Sequence, residues 1–253
     1  MAAKKMQQEL DNIYCEFFSS EKLQHFKNKE KLSAPFLISV SDHFIKQKKR
    51  ILFIGKETAG WLGKLSNFIE CEDSIEIMKQ RYSAEFFGGA VKRLNDEKYM
   101  SYKPENNWKN RFFVKYKEMR KELLNDKGDS LLWLNLLKMD SGDKSYSKNT
   151  KDNEEVVKLS KEIFLKEWEI LKPDFAIFAT GYKYDSIIKL FFGDAIAEDS
   201  NNNQKRSLWK FKIGETQCFR TWHPQTIKYK PKPPTIDECY GQIAQEIKNL
   251  IVV

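Results

Sequence analysis

The sequence predicts an α/β fold with a mainly parallel sheet, on one domain spanning residues 1–253 with an N-terminal helical extension. Three observations predict it. Short, wholly apolar runs are preceded by polar residues, the pattern of strands buried on both faces. Amphipathic stretches at helical spacing lie between them, which implies βαβ units. The 253 residues, 41% hydrophobic and 13% aromatic, suffice for one substantial core.

In chain order, roughly Lys4–Lys27 reads as the N-terminal helix. Ile51–Ile54, Leu131–Leu134 and Phe175–Ala179 read as buried strands. Trp108, Phe112, Tyr116, Met119 and Leu123 fall on one helical face. Val156, Ser160, Ile163, Trp168 and Leu171 do so less cleanly. Leu208–Ile213 and Thr216–Trp222, joined by a turn containing Gly214, read as a hairpin or as two edge strands. Thr235–Leu250 reads as a closing helix introduced by Pro233-Pro234. Ser141–Asn153, rich in Ser, Lys and Asp, is a candidate flexible loop, and Asn201–Asn203 a polar surface loop.

The balance of 44 Lys+Arg against 36 Asp+Glu gives a formal net charge of +8. Such a balance favours a polyanionic partner, because basic groups on phosphates release counterions; a Lys-rich solvated surface is the alternative. Cys15, Cys71, Cys218 and Cys239 form no CxxC pair, and with three histidines they make no strong zinc pattern. They read as reduced thiols. The N-terminus lacks the apolar core of a secretory signal, and no stretch reaches membrane-spanning length. These features predict a cytoplasmic protein with no metal. No P-loop or dinucleotide glycine pattern is present, which argues against an ATP or NAD enzyme.

In open α/β sheets, ligands bind beyond the carboxyl ends of the strands. After the first strand comes Gly55-Lys56-Glu57-Thr58-Ala59-Gly60-Trp61. The second leads into Asn135, the third into Thr180-Gly181, and the last into His223-Pro224-Gln225-Thr226-Ile227. A carboxylate, an amide and an imidazole thus each stand at a strand end. Taken singly, Glu57 can cap a helix or form a surface ion pair, Asn135 can close a turn, and His223 can be structural.

Together, in this order, they resemble the uracil-DNA glycosylase superfamily. Its first motif, of GxDPY, GxNPG or GEAPG type, directly follows a strand; here it is Gly55-Lys56-Glu57-Thr58-Ala59. An LLLN-like run is matched by Leu132-Trp133-Leu134-Asn135, a strand ending near a glycine by Phe178-Ala179-Thr180-Gly181, and the HPS motif by His223-Pro224-Gln225. The resemblance spans about Ile51 to Ile227. It implies a three-layer αβα sandwich with a central four-stranded sheet, no cofactor, DNA as partner, a monomer, and excision of a flipped base by monofunctional chemistry.

The resemblance also assigns roles. Glu57 stands where the family's acid or amide stabilises the sugar cation and positions water. His223 donates to the base oxygen, and Asn135 reads the base edge with a donor and an acceptor. Trp61 or Phe68 stacks on the base, although core packing is the commoner fate of such rings. Ile227 is the wedge into the duplex, and Gln225, Lys228, Lys230 and Lys56 are candidates for DNA contact. Lys56 can equally meet a substituent on the base, or solvent.

Departures sharpen the expectation. Ala59 replaces the tyrosine that blocks pyrimidine C5 in strict uracil enzymes. The expected substrate therefore carries a C5 substituent, such as hydroxymethylated or glucosylated cytosine of phage DNA, and superfamily members act in anti-phage defence. Thr58 replaces the family's proline and Gln225 its serine, and the iron–sulfur cysteines of some relatives are absent. A non-catalytic nucleic-acid-binding member of the fold, a uracil-excising repair glycosylase and an enzyme on free nucleotides are the alternatives.

Overall fold

The computed structural model describes residues 2–19, 23, 30–58, 61–69, 73–87, 110–124, 130–141, 153–198, 206–226 and 233–252. Its strands are β1 (Ile51–Gly55), β2 (Leu132–Asn135), β3 (Phe175–Phe178), β4 (Ile196–Glu198), β5 (Leu208–Ile213) and β6 (Thr216–Thr221). Its helices, among the described residues, are α1 (Ala2–Ser19), α2 (Asp42–Ile45), α3 (Ser66–Ile69), α4 (Ser74–Phe87), α5 (Arg111–Leu124), α6 (Glu154–Leu171), α7 (Asp185–Phe192) and α8 (Ile236–Val252). The chain divides into two compact units. One comprises residues 1–42, 57–103 and 135–171, the other residues 43–56, 104–134 and 172–253.

Except for Asn135, the last residue of β2, the sheet falls in the second unit, in the order β2-β1-β3-β6-β5-β4. Strands β1, β3 and β6 are parallel neighbours, whereas β5 runs antiparallel to both β6 and β4. The sheet is therefore six-stranded and mixed, which corrects the expected four-stranded, mainly parallel one. Two local causes explain the difference. Gly214 opens a two-residue turn at φ +57°, a conformation glycine adopts without steric cost, and it folds β5 back onto β6 as a hairpin. The short β4 carries two exposed residues, so no periodic pattern announces it.

Alternation along the strands gives the sheet two apolar faces. On one, the Phe53 ring lies 5.3 Å from Phe112 and 5.7 Å from Tyr116 of α5, and 6.3 Å from Tyr240 of α8. On the other, Phe178 meets Phe192 of α7 at 6.4 Å, and the buried Arg220 pairs with Asp185 at the start of α7, Nε to Oδ1 at 2.6 Å. Within α5 the expected face is buried at Phe112, Tyr116 and Met119, and Leu123 is half-buried. A reciprocal cap starts α8: Glu238 Oε2 accepts from the Thr235 amide at 2.6 Å, and Thr235 Oγ1 from the Glu238 amide at 3.2 Å.

The first unit packs α1 against α6. Leu10, Tyr14 and Phe17 are buried on α1 at helical spacing. The apolar face of α6 is interrupted by Ser160 and Glu167, and both are satisfied. Ser160 Oγ accepts from the Lys138 amide at 2.9 Å. Glu167 accepts from the Tyr14 hydroxyl at 2.8 Å and pairs with the Lys138 ammonium, all three side chains being buried. Tyr14 in turn accepts from the Ile38 amide at 3.3 Å. Residues 142–152 of the Ser141–Asn153 loop, Asn201–Asn203, Trp108, Cys71 and the stretch 24–27 lie outside the described residues. Among the described residues, no helix is long and apolar enough to cross a membrane.

Candidate active site

Because β1, β3 and β6 are parallel, their carboxyl ends share one edge of the second unit. Three segments leave that edge: Gly55-Lys56, Ala179-Thr180-Gly181 and Trp222-His223. Backbone bonds stitch them together, from the Ala179 amide to Ile54 O at 2.8 Å and from the Gly181 amide to Thr221 O at 2.9 Å. Gly181 sits at φ +73°, and a Cβ there would lie 3.5 Å from the His223 nitrogen. Glycine is suited to this point by its positive φ, since an added Cβ would stand only in ordinary van der Waals contact with the His223 nitrogen.

His223 is 7% exposed, with its ring 5.0 Å from Phe112. Burial, and secondarily the positive charge of Lys56, push its pKa down to about 3. The imidazole is therefore neutral at physiological pH. Nδ1 accepts a hydrogen bond from the Gln225 amide at 3.2 Å, so the single ring proton resides on Nε2. A second bond, from the Thr226 amide to His223 O at 2.8 Å, closes the turn. The Gln225 side chain donates to Asn110 Oδ1 at 3.0 Å. That oxygen also accepts from the Phe112 amide at 2.9 Å, an N-cap for α5. Lys56 is half-buried, its ammonium 5.7 Å from the centre of the Tyr184 ring.

Glu57, Asn135, Trp61 and Phe68 belong to the first unit. Glu57 is half-buried, two residues past the end of β1. Asn135 ends β2 and is 3% exposed. Thr58 is buried and donates its hydroxyl proton to Asp140, with Ser33 Oγ 3.0 Å from the same hydroxyl. Ser33 Oγ also accepts from the Asp140 amide at 2.9 Å, and Asp140 O accepts from the Ser33 amide at 2.9 Å. A hydrogen-bonded cluster of Ser33, Asp140 and Thr58 thus holds the residue that follows Glu57. Of the two candidate stacking rings, Phe68 is wholly buried in α3. Trp61 is half-buried, 4.8 Å from Phe36 and 5.1 Å from the Arg81 guanidinium. Ala59, Ile227, Lys228 and Lys230 lie outside the described residues.

The structure thus groups His223, Lys56 and Gln225 in one unit. Three partners there and in the first unit have no functional signature in the sequence: Phe112 against the imidazole, Tyr184 against Lys56, and Ser33 bonded to Thr58. Phe112 and Tyr184 carry ordinary core signals, and Ser33 lies in a segment with no periodic pattern. Compared with protein-family models and with curated proteins, the chain matches none.

Proposed function

We propose that the protein is a monofunctional DNA glycosylase of the uracil-DNA glycosylase type, excising a flipped pyrimidine that carries a C5 substituent. The observation that carries this reading is His223, a buried, neutral imidazole whose one proton lies on Nε2, at the carboxyl edge of a parallel strand triplet. Hydrolysis breaks the bond between C1′ and the base nitrogen. Negative charge develops on the base oxygen and positive charge on the sugar. A neutral Nε2–H donates to that oxygen without first having to gain a proton. Glu57 stabilises the sugar cation and orients the water whose oxygen attaches to C1′. Asn135 reads the base edge, and Ala59 leaves room at C5.

Helices on both sheet faces of the second unit support the three-layer αβα architecture of this family. The net charge of +8 supports DNA as partner. In this reading the enzyme takes no cofactor and acts as a cytoplasmic monomer, and phage DNA with hydroxymethylated or glucosylated cytosine is its target. Incubation with oligonucleotides carrying uracil, mismatched thymine or modified cytosines, followed by alkaline cleavage at abasic sites, tests it. Release of a C5-substituted pyrimidine is expected, with Glu57→Gln and His223→Ala slower by about a hundredfold or more. Release of uracil alone overturns the enlarged pocket. Salt-sensitive DNA binding with no release of any base points to a non-catalytic nucleic-acid-binding protein.

A further inference from the structure

Beside His223, the second unit presents an aromatic and cationic cluster that the excision chemistry does not use. Tyr182 follows Gly181 and Trp222 precedes His223, so both stand on segments leaving the carboxyl edge. Their rings meet edge to face at 5.8 Å, and both are half-buried. Arg206 is exposed, with its guanidinium carbon 4.8 Å from the centre of the Tyr182 ring and Nη2 3.3 Å from the Tyr182 hydroxyl. Lys183, next in the chain, is exposed as well.

The cluster is anchored from below. The buried Arg220 donates from Nη1 to the Arg206 carbonyl at 3.0 Å and from Nη2 to Asp185 Oδ2 at 2.8 Å. A wholly buried guanidinium thus ties the turn carrying Arg206 to β6 and to the start of α7. Burying a charge is costly unless it is paired and bonded, and here both conditions are met. What the anchoring achieves is a fixed place for an exposed arginine over a tyrosine ring. The Trp222 carbonyl is likewise held, accepting from the Tyr240 hydroxyl at 2.9 Å.

Aromatic rings and arginine planes at a surface stack with nucleobases, and neighbouring cations pair with the intervening phosphates. Stacking of this kind needs a base free of its partner strand. We infer that Tyr182, Trp222 and Arg206 form a stacking platform for the unpaired nucleobase next to the excised one, so that single-stranded or locally melted DNA is the preferred substrate. This inference rests on the glycosylase reading for the identity of the neighbouring base, but its test does not.

The probe is a single-stranded oligonucleotide with 2-aminopurine on either side of one deoxyuridine or 5-hydroxymethyldeoxycytidine, and the same strand in duplex. Fluorescence reports stacking, titration gives Kd, and alkaline cleavage of the same samples reports base release. The wild type is expected to quench 2-aminopurine and to bind the single strand more tightly than the duplex. Tyr182→Ala should weaken single-strand binding about tenfold and restore fluorescence, whereas Tyr182→Phe keeps both. Arg206→Ala, at an exposed position, should weaken binding without unfolding the protein. Absence of quenching, equal binding of both forms, or unchanged binding by Tyr182→Ala overturns the platform. Base release that proceeds without quenching leaves the glycosylase reading standing and the platform fallen. Quenching without release of any base does the reverse.

Discussion

Lys138 with Glu167 in the first unit, and His223 in the second, all bury ionisable groups, and the two places treat charge differently. Lys138 and Glu167 are both 0% exposed and face each other directly. Burial pulls each towards its neutral form, raising the carboxyl and lowering the amine, and the partner opposes the change in both cases. The Tyr14 hydroxyl completes the set. At His223 the neighbouring charge is Lys56, of the same sign as an imidazolium, so burial and electrostatics act together to leave it neutral. A paired buried charge is tolerated only while both partners are present. A group held neutral at a strand end is a candidate for chemistry.

Breaking the pair gives the largest effect. Glu167→Leu strands a buried ammonium, and unfolding in urea should show a loss of about 3–5 kcal/mol. The double variant Lys138→Met, Glu167→Leu should recover most of it, because neither charge then needs a partner. Little difference between the single and double variants would show that the pair is not compensating burial.

Acid titration probes the other region. His223 has a folded pKa of about 3 against an ordinary 6.5, so the unfolded chain takes up the proton first as pH falls. Its contribution to stability is intact above about 6.5 and is lost towards 3, at up to about 1.4 kcal/mol per pH unit. His223→Gln should flatten the unfolding free energy across that window. Lys56→Met, by removing the like charge, should raise the imidazole pKa and narrow the window, which titration by NMR would follow.

Smaller effects test the supports. Thr58→Ala removes a donor from the buried Asp140 and should cost about 1–3 kcal/mol in urea unfolding, with Thr58→Ser close to wild type. Gly181→Ala forces a Cβ into the left-handed region beside His223 and should cost about 1–2 kcal/mol.

What was legible followed from how far each feature depends on its own residues. β1 and β3 are apolar at every position, and α5 repeats its buried positions cleanly, so pattern alone found them. β4, with three residues, and α7, with eight, are too short to show a period. β5 carries exposed and half-buried lysines between its apolar residues, which left hairpin and edge strands equally open until pairing decided. At the site, His-Pro at a strand end was visible. Its protonation was not, because it depends on Phe112 and Lys56, which are remote in sequence. Thr58 read as a departure from a family pattern, and its bond to Asp140 became visible only with the fold.

Single-turnover base release from oligonucleotides of the modified-pyrimidine panel, followed from neutral pH to about pH 5, well above the folded His223 pKa of about 3, probes His223 as a neutral donor. A neutral histidine acting as donor predicts that abasic sites accumulate and that the rate does not fall as pH passes the ordinary histidine value. Failure to release any base at any pH, with DNA bound, would contradict it.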